Sequence, residues 1–152
     1  MSNTVLTKRK EGVLTITMNR PEALNALDRE LSETLQKTIL TAEQDKKVRC
    51  VVIRGGEQFM AGGDLKYFAE NFDVNLNEKR IMFEGFINHV HKIIISIRRM
   101  PKPVVASIRG PAAGFGLSLA MACDLAIASD DAFFTLAYVN IGTSPDGGST
   151  FS

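Results

Sequence analysis

The segment VVASIRGPAAGFGLSLAMACDLAIAS, residues 104–129, joins an apolar strand to a turn of small residues, a short helix and another strand. The β-branched run at its start, with glycine and proline after it, predicts a buried strand over 103–110. Glycines in the turn allow a close approach of backbone, and LSLAMA after them predicts a helix of about two turns. LAIAS, residues 125–129, predicts the returning strand. This order predicts an α/β fold with crossover connections.

The segment VVIRGGEQFMAGGDL, residues 51–65, repeats that arrangement. It predicts a buried strand over 50–56, then a small-residue turn, then a short helix that Asp64 starts and that runs through Phe72. The first N–H groups of a helix have no partner within the helix and lie at the positive end of its dipole. Two such turns in one domain could place two N–H donors around one oxygen, as stabilisation of an oxyanion or enolate requires.

Alternation, capping residues and helix breakers predict the remaining elements. Residues 5–10 and 13–18 alternate around Glu11-Gly12 and predict a β-hairpin. Asp28 is a good N-cap for a helix that ends near residue 44, and a longer helix is expected over about 79–99, before the prolines at 101 and 103. AFFTL, residues 132–136, predicts a further strand. No linker or shift in composition divides the chain, so residues 1–152 are predicted to form a single domain.

Composition excludes several classes of protein. The 152 residues carry a net charge of +1, with 45% hydrophobic and 23% charged residues, so no global field favours nucleic acid. The N-terminus lacks the apolar region of a signal peptide, and no run is long enough to span a membrane, which makes a cytoplasmic protein the simplest expectation. Cys50 and Cys123 are isolated in apolar runs, which predicts two buried thiols and neither a disulfide framework nor a metal site.

Four segments in order resemble the crotonase, or enoyl-CoA hydratase/isomerase, superfamily, and together they cover nearly the whole chain: NRPEALNALD (19–28), FMAGGDL (59–65), IRGPAAGFGLSLAMACDLAIAS (108–129) and IGTSPDGGST (141–150). The resemblance implies a spiral of ββα units with buried strands and crossover helices. It also implies an enzyme that acts on acyl-CoA thioesters and stabilises an enolate-like oxygen with two backbone N–H groups. Coenzyme A would be part of the substrate, and no separate cofactor or metal is expected.

Carried over position by position, the resemblance makes Gly63 and Phe115 the two N–H donors. Because both act through the backbone, the ring of Phe115 is free to pack in the core or to shape an acyl pocket. The channel for the adenine and pantetheine of coenzyme A would be formed by Ala23, Leu24, Ala61, Gly62, Asp64 and Leu65. Lys66 would lie near the nucleotide phosphates, with a solvated helix residue as its alternative, and Asp64 is alternatively a plain N-cap.

The resemblance also disfavours hydration of a double bond. Hydratases of the family use two glutamates, and their positions hold Ser118 and Tyr138 in this chain, neither of which can act as a carboxylate base. Tyr138 is instead expected to contact the substrate. Asp146, in the turn PDGG, is the carboxylate that remains nearby, and a single base can isomerise an enoyl thioester by removing and returning one proton. Asp146 could alternatively serve only as the cap of this turn.

Two alternatives to an isomerase remain open. In the 4-chlorobenzoyl-CoA dehalogenases of this family, an aspartate of this turn attacks an aromatic ring with the help of a histidine. NHVHKIII, residues 88–95, offers His89 and His91, and His91 aligns with the assisting histidine, but those enzymes carry a tryptophan where this chain has Tyr138. The second alternative is a homologue that binds acyl-CoA without turnover.

Members of this family are longer than this chain. Beyond the PDGG turn they carry helices that cover the active site and help to build trimers, often paired into hexamers. The resemblance therefore implies that the chain is a shortened form without the C-terminal helical portion, and that a full-length form is a homotrimer or hexamer. Apolar surface left uncovered by that portion would favour association of the shortened chain.

Overall fold

A computed structural model of the chain describes residues 3–151. It has an α/β fold, as the sequence predicts, with all four helices separated by strands or short joints. The elements in chain order are β1 Val5–Lys10, β2 Val13–Met18, a 3-10 helix Pro21–Ala23, α1 Arg29–Gln44, β3 Cys50–Arg54, α2 Leu65–Asn71, α3 Leu76–Arg99, β4 Val104–Ile108, β5 Pro111–Ala113, α4 Phe115–Ala122, β6 Leu125–Ala128, β7 Phe133–Thr135 and a 3-10 helix Tyr138–Ile141.

The main sheet has five strands in the order β1-β2-β3-β4-β6. β1 and β2 form the predicted antiparallel hairpin, and the other neighbours pair in parallel. Helices make the crossovers between parallel strands: α1 leads from β2 to β3, α2 and α3 lead to β4, and α4 leads to β6. A second, two-stranded parallel sheet pairs β5 with β7. The ends of β3 and β4 therefore lie side by side, where both small-residue turns begin.

One hydrophobic core fills the space between the sheet and helices α1 and α3. The inward side chains of α1 recur four residues apart at Leu31, Leu35 and Ile39, and all three are fully buried. They meet the buried face of α3 and the central strands, whose own buried residues include Ile53 and Ala106. β3 and β4, which the sequence predicts as buried strands, are the central strands that contribute to this core.

Both predicted aspartate caps are confirmed. The Asp28 carboxylate accepts the N–H of Leu31 at 2.8 Å at the start of α1, and the Asp64 carboxylate accepts the N–H of Tyr67 at 3.0 Å at the start of α2. α3 begins at Leu76, three residues before the predicted start, because the side chain of Asn75 caps it. No helix in the described range is long and apolar enough to cross a membrane.

Three features differ from the sequence-based expectation. The turn after residue 110 contains a short strand, β5, which the sequence analysis missed because its pairing with β7 is a long-range contact. β6 is as apolar as the central strands but is exposed at all four positions, with Leu125 65% and Ile127 67% exposed. Cys123 is buried as expected, whereas Cys50 is only partly buried, because it stands at the start of β3.

Candidate active site

The two small-residue turns lie side by side through backbone hydrogen bonds. The N–H of Phe59 donates to the carbonyl of Arg109 at 2.8 Å, and the N–H of Met60 donates to the carbonyl of Pro111 at 2.9 Å. The N–H of Ala113 returns a bond to the carbonyl of Met60 at 2.9 Å, in a parallel bridge. Residues 59–60, which precede Gly63, are thus hydrogen-bonded to residues 109–113, which precede Phe115.

Glycines allow this close approach. A Cβ placed on Gly62 would lie 3.1 Å from the carbonyl oxygen of Ala113 and 3.7 Å from the Cα of Gly114, and both glycines have positive φ. A Cβ on Gly116 would lie 2.3 Å from the carbonyl oxygen of Met60. No side chain fits in that space, so the turn and the first turn of α4 pack backbone against backbone.

The two predicted donors stand at the edge of this contact. Neither the N–H of Gly63 nor that of Phe115 has a protein acceptor within residues 3–151. Phe115 is the first residue of α4, so its N–H is one of the free donors at the helix N-terminus. Phe115 is 3% exposed and packs in the core, which is one of the two placements that the sequence analysis left open for its ring. The ring of Phe68 lies against Gly63, 2.9 Å from where its Cβ would be.

The segment before α1 pairs with the first turn. The carbonyl of Leu24 accepts the N–H of Ala61 at 3.1 Å, and the N–H of Leu27 donates to the carbonyl of Gly62 at 2.7 Å. The N–H of Asp64 then donates to the carbonyl of Leu27 at 3.1 Å. The residues that the sequence analysis assigned to a coenzyme A channel from these two segments are therefore neighbours: Ala23, Leu24, Ala61, Gly62, Asp64 and Leu65.

Arg20 ties the two capped helices together, which the sequence analysis missed. Its Nη2 lies 3.1 Å from a carboxylate oxygen of Asp28 and 3.1 Å from one of Asp64, and its side chain is only 16% exposed. Burial acts to raise the pKa of Asp64, but the N–H of Tyr67 and the guanidinium of Arg20 outweigh it, so the pKa is lowered. The Asp64 carboxylate, next in sequence to Gly63, therefore has a structural role as a helix cap and as the partner of Arg20.

The side chain of Asn25 joins the segment that begins at Arg20 to the loop that follows β3. It is fully buried, and its Nδ2 donates to the carbonyls of Gly55 at 2.8 Å and Gln58 at 2.5 Å. Its Oδ1 accepts the N–H of Arg20 at 2.7 Å, and its φ is +55°. Asparagine tolerates this left-handed backbone conformation better than most residues. An asparagine in this turn was therefore the one feature of the sequence that could have indicated a structural role for residue 25.

Lys66 lies on the exposed side of α2. Its side chain is 84% exposed and makes a 3.9 Å pair with Glu70, one turn further along the helix. Leu65 beside it is 54% exposed. Both residues are accessible to a ligand, and the placement of Lys66 near nucleotide phosphates stays a prediction.

Asp146 is hydrogen-bonded to Tyr138 and Ser118, the two residues that the sequence analysis placed at the glutamate positions of hydratases. The hydroxyl of Tyr138 donates to Oδ1 of Asp146 at 2.5 Å, and the hydroxyl of Ser118 donates to the backbone carbonyl of Asp146 at 3.0 Å. The two hydroxyl oxygens lie 3.3 Å apart. Ser118 is 1% exposed and Tyr138 is 8% exposed, so both hydroxyl-bearing residues are buried, whereas Asp146 itself is half-buried.

The PDGG turn is seated on α4 and α3. The N–H of Gly147 donates to Nε2 of His91 at 3.2 Å, which fixes the turn against α3. A Cβ on Gly147 would lie 2.6 Å from Cβ of Ser118 and 3.3 Å from the ring of Phe115. The carboxylate of Asp146 is thereby held near the end of α4 that carries the free N–H of Phe115.

The phenol of Tyr138 acts as a donor in this network. Burial, and next the hydrogen bond to Asp146, raise its pKa well above the ordinary value of a tyrosine. The hydroxyl therefore keeps its proton at neutral and moderately alkaline pH.

His89 is separate from the Asp146 network. Its Nε2 is buried without a hydrogen-bond partner in the described part of the chain, and the residue is one of those that line a groove of about 440 Å³ between α1, α2 and α3. Of the two histidines weighed from the sequence, only His91 contacts the PDGG turn. Within residues 3–151 no three His, Cys, Asp or Glu side chains converge as a metal site would require.

Comparison with known proteins gives consistent matches. Residues 8–152 match the family model described as enoyl-CoA hydratase/isomerase. The chain is 37% identical to a trans-2-decenoyl-(acyl-carrier-protein) isomerase of Streptococcus mutans, over 92% of this chain and 52% of that protein. It is 34% identical to a 1,2-epoxyphenylacetyl-CoA isomerase of Escherichia coli, over 99% of this chain and 57% of that protein.

A solved structure gives the same result for the fold. The crystal structure of an enoyl-CoA hydratase from a Polaromonas species superposes with a TM-score of 0.86 at 37% identity, over 95% of this chain and 55% of that one. The chain thus spans about half the length of the relatives that it matches, whose names include both isomerases and hydratases.

Proposed function

The chain belongs to the enoyl-CoA hydratase/isomerase family, and from this premise we propose that it carries the site of an acyl-CoA double-bond or ring isomerase with one acid/base, Asp146. The observation that carries the proposal is the pairing of Asp146 with Tyr138 and Ser118. At the positions where hydratases of the family carry two glutamates, this chain has the hydroxyls of Ser118 and Tyr138. Both hydroxyls donate hydrogen bonds to Asp146, which does carry a carboxylate. One base is enough for a proton transfer between two carbons, but it does not activate water and protonate carbon together.

The proposed reaction uses the two turns and the PDGG turn in fixed roles. Asp146 takes the proton from the carbon next to the thioester carbonyl of a 3-enoyl-CoA. The electrons move to the carbonyl oxygen, whose negative charge is stabilised by the N–H groups of Gly63 and Phe115 and by the N-terminal dipole of α4. Asp146 then returns the proton two carbons further along, which leaves the double bond conjugated with the thioester. No atom is gained or lost.

Acyl-CoA deuterium exchange tests this proposal. The chain is incubated in D₂O with a 3-enoyl-CoA or a saturated thioester, and incorporation is followed by mass spectrometry. We expect incorporation that disappears in Asp146→Asn and persists in Asp130→Asn, which removes the same charge from an exposed residue. If Asp146→Asn exchanges as fast as the wild type, the proposal is wrong. Thioester binding without any exchange would instead indicate a non-catalytic acyl-CoA-binding homologue.

A second candidate is a nucleophilic role for Asp146, as in a 4-chlorobenzoyl-CoA dehalogenase. The contact between His91 and the PDGG turn favours it, because a histidine beside the nucleophile could assist hydrolysis. Against it, Nε2 of His91 already accepts the N–H of Gly147, so it has no free lone pair for a proton of water. Release of halide from 4-chlorobenzoyl-CoA that stops in His91→Gln would support this candidate over the isomerase.

A further inference from the structure

We infer that Tyr138 is the positioning residue of this site: it holds Oδ1 of Asp146, so that Oδ2 is the oxygen that moves the proton. This inference rests on the proposed function of Asp146 as an acid/base. It assigns different tasks to the two oxygens of one carboxylate, and it gives Tyr138 a role through Asp146 in place of the substrate contact expected from the sequence.

The backbone of the PDGG turn is fixed before Tyr138 is considered. Ser118 and Ser149 both donate side-chain hydrogen bonds to the carbonyl of Asp146, at 3.0 and 3.1 Å. His91 holds the next peptide group through the N–H of Gly147. These contacts hold the backbone but leave the side chain of Asp146 free to rotate. The hydrogen bond from Tyr138 prevents that rotation.

The two oxygens of Asp146 have different surroundings. Oδ1 accepts the phenol hydrogen bond at 2.5 Å, whereas Oδ2 has no protein partner among residues 3–151. A carboxylate oxygen that already accepts a strong hydrogen bond is the poorer base of the two. The free oxygen is therefore the one that can take a proton from a substrate carbon.

Tyr138 is itself well placed to impose this geometry. It is 8% exposed and lies in a tightly folded segment, where its N–H donates to the carbonyl of Leu136 at 2.8 Å and its carbonyl accepts the N–H of Thr143 at 3.1 Å. Ala137 before it has a φ of +59°, a left-handed conformation that costs free energy for alanine and occurs at constrained sites. The groups that face its hydroxyl are Asp146 and, from α4, Ser118.

Kinetics of Tyr138→Phe test the inference. We expect the exchange rate at saturating thioester to fall about 10- to 100-fold, as loss of a hydrogen bond to a charged group predicts, with KM changed by less than about twofold. In the Asp146→Asn background the same substitution should have no further effect, because Tyr138 acts through Asp146. An unchanged rate in Tyr138→Phe, with Asp146→Asn inactive, would overturn the inference and leave the proposed function standing.

A spectroscopic measurement tests the contact without turnover. The chain has two tyrosines and no tryptophan, so in Tyr67→Phe the ultraviolet absorbance of tyrosinate reports Tyr138 alone. We expect its phenol to ionise at higher pH than free tyrosine, and Asp146→Asn to lower that pKa while the protein stays folded by circular dichroism. An unaltered titration in Asp146→Asn, or full exchange activity in that variant, would overturn the inference.

Discussion

The side-chain oxygens of Ser118 and Tyr138 lie 3.3 Å apart, although 20 positions separate the residues in the chain. Ser118 comes from the first turns of α4 and Tyr138 from the 3-10 helix after β7. Both hydroxyls are directed to the residue between Pro145 and Gly147, and together they enclose its carboxylate and its carbonyl. The two residues that the sequence analysis aligned with the hydratase glutamates thus both donate a hydrogen bond to Asp146.

Replacement of Ser118 by glutamate should therefore fail to install hydration. Ser118 is 1% exposed and packs against Gly147, so a longer charged side chain would displace the PDGG turn. We expect Ser118→Glu, alone or with Tyr138→Glu, to lower the free energy of unfolding by about 2 kcal/mol or more. No hydration of crotonyl-CoA should be detectable by loss of enoyl absorbance. Ser118→Ala, which removes only the hydroxyl, is the control, and hydration by the double variant would contradict this account.

Gly116 should tolerate no side chain. A Cβ there would lie 2.3 Å from the carbonyl oxygen of Met60. Because that oxygen belongs to the backbone of the paired turns, it cannot move away as a flexible side chain could. We expect Gly116→Ala to lower the free energy of unfolding by at least about 2 kcal/mol in urea denaturation. Gly85, in the middle of α3, has nothing within 4 Å of its Cβ position. Gly85→Ala should raise stability by about 1 kcal/mol, and equal effects of the two substitutions would be the contrary result.

Acid should weaken the junction between α1 and α2. The pKa of Asp64 is lowered by Tyr67 and Arg20 in spite of burial. Its contribution to stability is therefore fully present above the unfolded-state value, about 3.9, and is lost as the pH falls through the folded-state value. Urea denaturation of Asp64→Asn, which keeps a capping side chain, should depend less steeply on pH below about 4. Asp130→Asn should follow the wild-type curve, and a wild-type slope in Asp64→Asn would refute the prediction.

The thiol of Cys123 should be inert in the folded protein. Burial, and next the charge of Asp124, raise its pKa to about 12. At pH 8 only about one molecule in ten thousand carries the reactive thiolate. In Cys50→Ser, alkylation by iodoacetamide should therefore be slow and should become complete only in denaturant. Cys123→Ser, which leaves the partly buried Cys50, provides the comparison, and rapid labelling of native Cys50→Ser would count against the prediction.

The chain should associate through β6. Within the described range β6 pairs only with β4, and its apolar side chains are uncovered, as are Phe133 and Phe134 of β7. An exposed apolar edge strand favours pairing between copies. Light scattering after gel filtration should give a mass that rises with concentration, and Leu125→Lys with Ile127→Lys should reduce this rise. Leu76→Lys, at a still more exposed leucine of α3, should not reduce the rise. A sharp monomeric peak of the wild type at all concentrations would disprove association.

Local sequence patterns were enough to predict the architecture and the position of the two turns. Alternation, apolar runs and breakers predicted the hairpin, the central strands and the helices, and Asp28 and Asp64 marked two helix starts correctly because capping is a local interaction. Glycines before Gly63 and Phe115 predicted the close backbone approach. The sequence signal for each of these features lies in residues that are close together in the chain, even where the contact itself is long-range, and a pattern can record such a signal.

The contacts between side chains from distant parts of the chain could not be predicted in this way. Arg20 joins two caps that are 36 residues apart in number, β5 exists only through β7, and β6 is exposed despite a composition that predicts burial. Tyr138, Ser118 and His91 converge on one turn from three elements. Hydrogen bonds of this kind depend on distances within an ångström, which the packing of the whole domain sets and no local pattern contains.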